Sequence, residues 1–122
     1  MYDLKKTKDI YKIDKNLYKN ALVELKRVLK NDKWLYLTIP FGKKTIFRNY
    51  QQFDINDLNS MIKIFSPKQY QTNFYKFENL QWNEVDQIKC QSTEAIYKKD
   101  IGISSKSVAL IKMKKLIKLI KK

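Results

Sequence analysis

A chain of 122 residues, 43% apolar and 13% aromatic, is one domain's worth of sequence with enough apolar surface to fold. The absence of histidine and the single cysteine, Cys90, exclude Ser-His-Asp and Cys-His catalysis, histidine metal sites and any internal disulfide. A net charge of +14 suits an anionic partner, but Arg27 and Arg48 are the only arginines. Readers of nucleic acid favour the bidentate arginine fork, so nucleic acid is not the expected partner. The charged start, MYDLKKTKDI, lacks the apolar core of a signal peptide. No run approaches the roughly 20 apolar residues of a membrane span, so a cytoplasmic location is expected and a membrane partner is not.

Residues 1–13 read as a loop or frayed lead-in. Over 16–30, Leu17, Ala21, Leu22, Leu25, Val28 and Leu29 recur at helical spacing, with Asn16 or Asp14 as cap and Lys26, Arg27 and Lys30 at the end that favours cations. Asn31-Asp32-Lys33 is turn chemistry. The unalternating run Trp34-Leu35-Tyr36-Leu37-Thr38-Ile39 predicts a strand buried on both faces, stopped by Pro40. Pro40, Phe41, Gly42 and Lys43 then form a loop at the carboxyl end of a strand, where open α/β sheets bind ligands.

Residues 45–53, TIFRNYQQF, have two uses. Phe47, Tyr50 and Phe53 can staple the loop to the next helix, and Arg48, Tyr50 and Gln51 can face a polar ligand. Asp54 caps a predicted helix over 55–65, ended by Ser66-Pro67. Residues 70–77 read as a strand, and 79–101 show no clean period. Glu84, Asp86 and Glu94 within that stretch are more simply a solvated face than general bases, and Cys90 a passive thiol. SVALIKM over 107–113 is the last predicted strand. Residues 113–122 carry Met113, Leu116, Ile117 and Ile120 against five lysines, a basic amphipathic tail that reads as a surface helix.

The segment over 21–42, ALVELKRVLKNDKWLYLTIPFG, resembles the E-x-x-R-V-L-K-P-G-G-x-L-x-L-T-V-P-F-G stretch of class I S-adenosylmethionine-dependent methyltransferases. Glu24, Arg27, Val28, Leu29, Lys30, Leu35, Leu37, Thr38, Pro40, Phe41 and Gly42 match, and Asn31-Asp32-Lys33 replaces Pro-Gly-Gly. Tyr50-Gln51-Gln52-Phe53-Asp54 is similar to an aromatic-Gln-Gln-Phe-Asp string in one branch of that family, often acting on small-molecule or sugar-related acceptors. Trp82 resembles the start of that branch's insertion, and the run at 107–113 its final antiparallel strand.

The resemblance spans roughly 17–114 but only the later half of the family's domain. It implies a partial Rossmann-like α/β sheet whose three retained strands are the family's neighbouring fifth, seventh and sixth, the last one antiparallel. It also implies pocket lining by Pro40, Phe41, Gly42 and Lys43, and an acceptor side formed by Arg48, Tyr50 and Gln51. The family's cofactor is S-adenosylmethionine, gripped by a glycine-rich turn. This chain has only Gly42 and Gly102, so it is not expected to bind that cofactor alone. The chain thus reads as a truncated or split methyltransferase, starting after the cofactor-binding half. A partner chain, or a second copy, is expected on the unpaired edge of residues 34–39. The alternatives are a non-enzymatic module that pairs through that edge, or a lysine-rich binder of RNA or anionic membrane.

Overall fold

The computed structural model describes residues 16–47, 50–98 and 102–116. Its elements are α1 (Leu17–Val28), β1 (Trp34–Pro40), β2 (Thr45–Phe47), β3 (Tyr50–Gln52), α2 (Ile55–Phe65), β4 (Gln69–Glu78), β5 (Gln81–Val85), α3 (Gln87–Cys90), β6 (Ile96–Lys98), β7 (Gly102–Ser104) and β8 (Ser107–Lys114).

The fold is mixed α/β. Its main sheet has four strands in the order β1-β8-β4-β5, and β2-β3 and β6-β7 are separate two-stranded pairs. The sequence predicts three strands with the last antiparallel. The sheet differs in having a fourth strand, β5; every neighbouring pair in it is antiparallel. Because β8 lies antiparallel to both β1 and β4, those two strands run in the same direction.

The helices cover one face of this sheet. Along β8 the alternation is complete: Ser107, Ala109, Ile111 and Met113 are buried, and Val108, Leu110, Lys112 and Lys114 are not. Register places Leu35, Leu37 and Ile39 of β1, and Phe74 of β4, on the buried side. These side chains pack with Leu22 of α1 and Leu58, Met61 and Phe65 of α2 into one core.

The expectation that β1 is buried on both faces is therefore corrected. Trp34, Tyr36 and Thr38 project from the other face, where Tyr36 is 63% exposed. The physical reason is that Trp and Tyr are amphipathic. Their rings count as apolar in a sequence pattern, yet sit on an open surface beside lysine: Lys114 and Lys112 lie 5.9 Å from the ring centres of Trp34 and Tyr36.

Helix α1 is also narrower in its contacts than its pattern. Leu22 is buried, Tyr18 and Leu29 pack on the core, and Lys26 lies 5.6 Å from the centre of the Phe65 ring. Leu17, Leu25 and Val28 of the predicted face stay exposed. The helix leads into β1 through a turn in which Asp32 takes a left-handed φ of 64°, a conformation Asp tolerates and Gly would otherwise fill.

Helix α2 has the predicted bounds, with a reciprocal cap. The Asp57 N–H donates to Asp54 Oδ1 at 2.9 Å, and the Asp54 N–H to Asp57 Oδ2 at 3.1 Å. Ser66 closes it in the left-handed region at φ 49°. The basic helix expected over 113–122 is corrected at its start, since β8 runs on to Lys114. Residues 117–122 lie outside the described residues.

Candidate functional site

The strand-end loop that the sequence singles out is a junction where four segments meet. β1 ends at Pro40, whose carbonyl accepts from the Phe53 N–H at 3.0 Å. Phe41 donates its N–H to the Ser107 carbonyl at 3.0 Å and buries its ring against Phe74, 4.9 Å between centres. Gly42 donates to the Phe53 carbonyl at 2.9 Å, and Lys43 to the Thr93 carbonyl at 2.8 Å.

Gln52 ties these segments together from a fully buried position on β3. Its Nε2 donates to the carbonyls of Lys43 (2.8 Å) and Thr93 (3.0 Å), and its Oε1 accepts from the Tyr50 hydroxyl at 3.0 Å. Beside it the Ser107 hydroxyl donates to Thr93 Oγ1 at 2.7 Å. No buried side-chain polar atom among the described residues lacks a partner. A network this complete fixes the loop.

The predicted site residues divide accordingly. Pro40, Phe41 and Gly42 are structural here: Phe41 is core, and the space beside Gly42 is filled by protein. An ideal Cβ on Gly42 would stand 2.3 Å from the Thr93 carbonyl oxygen and 2.8 Å from Gln52 Nε2. Lys43 is exposed and pairs with Glu94 at 3.1 Å. Tyr50 is half-buried, and burial pushes its phenol above the ordinary value. Gln51 lies on β3 opposite Ile46. Arg48 falls outside the described residues.

The sequence reading missed Gln52, Thr93 and Ser107. One signal was available. Alternation along β3 puts Tyr50 and Gln52 on the same side and Gln51 on the other.

The acidic residues of the irregular stretch do not gather at one place. Glu84 accepts from Asn73 Nδ2 at 2.6 Å, Glu94 pairs with Lys43, and Asp86 precedes α3 as its N-cap. No group of three metal-ligating side chains occurs among the described residues. Cys90 is buried, with Sγ 3.8 Å from the Tyr75 carbonyl, and burial pushes its thiol up. A protonated, enclosed thiol is a poor nucleophile.

No helix among the described residues is long and apolar enough to cross a membrane. No protein-family model, curated protein or solved structure matches this chain.

Proposed function

We propose that this chain supplies one side of a split S-adenosylmethionine-dependent methyltransferase-like domain, acting on a small-molecule or sugar-related acceptor. A second polypeptide segment carries the cofactor and completes the sheet on β1. The observation that carries this reading is the strand order. β1, β8 and β4 lie side by side, with the last strand in sequence between the other two and antiparallel to both. That is the arrangement the resemblance implies for the family's fifth, seventh and sixth strands.

Two further features support it. β1 is an edge strand among the described residues, and edge strands with apolar composition template pairing. Helix α1 also leaves Leu17, Leu25 and Val28 exposed, a stripe suited to a further helix. The junction around Gln52 then acts as a rigid base that presents Lys43 at the strand end, with Lys44 held against Asp57 at 3.2 Å beside it. Methyl transfer mainly needs donor and acceptor held in line, so a fixed loop is the useful contribution.

Titration calorimetry of the chain with S-adenosylmethionine tests this. The expected result is no saturable heat from the chain alone. Saturable binding at one site per chain would overturn the division of labour proposed here.

A further inference from the structure

The sheet face opposite the helices has a composition of its own. Cross-strand register sets out three rows on it: Trp34–Lys114–Gln69, Tyr36–Lys112–Gln71 and Thr38–Leu110–Asn73. Trp34 is 38% and Tyr36 63% exposed. The two rings stand on the same side of one strand, two residues and roughly 7 Å apart. Each has a lysine ammonium over it, at 5.9 Å from the ring centre. Lys114 also reaches Asp32 at 3.3 Å, whereas Lys112 makes no ion pair among the described residues. Gln71 and Asn73 complete the surface with amides, joined at 3.2 Å.

We infer that this face binds single-stranded nucleic acid without sequence preference. Rings on an open sheet stack unpaired bases, and the lysines opposite them on β8, displaced from the ring faces by the incoming base, meet the phosphates. The net charge of +14 supplies long-range attraction for a polyanion. The scarcity of arginine, which argues against base-specific readout, is compatible with sequence-tolerant stacking. Duplex nucleic acid keeps its bases paired and offers no ring face to Trp34 or Tyr36. The inference uses the open face and not the β1 edge, so it stands apart from the methyltransferase reading.

Fluorescence anisotropy of labelled oligo(U) and oligo(dT) with the full chain, at several salt concentrations, tests it. Binding is expected to weaken with salt. Tyr36→Ala is expected to lose roughly ten-fold in affinity. Lys112→Gln is expected to reduce the slope of log K against log salt by about 0.7. Lys63→Gln, which removes an exposed charge from α2, is expected to change affinity less than about two-fold. Circular dichroism verifies that each variant folds, and the ratio of oligo(U) to oligo(dT) affinity distinguishes RNA from DNA as the ligand.

Three outcomes overturn the inference. One is equal loss at Lys63 and Lys112 with none at Tyr36, which marks a general polycation. Another is equally tight binding of duplex DNA. The third is capture of phosphatidylserine vesicles with no oligonucleotide binding.

Discussion

Gly42→Ala is expected to lower the melting temperature by roughly 10 °C, a loss of about 3 kcal/mol. The cause is local and steric. The added methyl would stand 2.3 Å from the Thr93 carbonyl oxygen, a backbone atom. That carbonyl cannot swing away freely, because it accepts from both the Lys43 N–H and Gln52 Nε2. Relieving the clash therefore breaks hydrogen bonds on two segments at once. The backbone at Gly42, with φ of 157°, adds a second reason for glycine. Thermal melts followed by circular dichroism measure the effect. A melt within about 2 °C of the parent would mean that the segment carrying Thr93 yields, and that the junction is not rigid.

Gln52→Glu is the second large effect, and it carries a pH signature. The change is nearly isosteric but replaces an amide donor by an acceptor. Two carbonyl oxygens, of Lys43 and Thr93, would then face a buried carboxyl at the positions where Nε2 now donates at 2.8 and 3.0 Å. Burial and acceptor neighbours raise the folded-state pKa of the introduced carboxyl above its unfolded value near 4.3. A group with a raised folded pKa contributes stability below the unfolded pKa and loses it as pH rises. The variant should therefore be about 3 kcal/mol less stable than the parent at pH 7 and recover part of that deficit near pH 4, where the protonated carboxyl restores one of the two donated bonds. Denaturant titrations at both pH values check this. A deficit of the same size at both would show that shape, and not the donor, is what the site requires.

Much of the frame is legible from local chemistry. Helix α2 announces itself through Asp54 at one end and Ser66-Pro67 at the other, and its bounds are those predicted. The three long strands fall within a residue or two of their predicted positions, because aromatic and β-branched runs between turn residues leave few alternatives.

Two features stayed hidden for physical reasons. The β4–β5 hairpin turns at Asn79 and Leu80, with φ of 53° and 62°. Such a turn is normally signalled by Asn-Gly, and leucine at a left-handed position gives no signal at all. The one-sided burial of β1 was hidden because Trp34 and Tyr36 read as core, whereas lysines from β8 keep their rings at the surface. In the candidate site, the string Tyr50-Gln51-Gln52 was visible, but ligand contact was assigned to Gln51. Strand alternation instead turns Gln52 inward, where its bonds to Lys43 and Thr93 could be seen only once Thr93 was brought alongside.

The most direct measurement is hydrogen exchange, residue by residue, along β1. Phe41 donates to Ser107 on the β8 side, and the Pro40 carbonyl accepts from Phe53 on the other. Antiparallel alternation then aims the N–H groups of Leu35, Leu37 and Ile39 at β8, and those of Tyr36 and Thr38 at the open edge. In the isolated monomer, Leu35, Leu37 and Ile39 are expected to be protected, while Tyr36 and Thr38 exchange fast. Adding a completing segment that carries a glycine-rich strand-turn-helix should slow Tyr36 and Thr38 selectively. Equal protection of all five amides in the monomer would contradict an edge waiting for a partner, and with it the split-domain proposal.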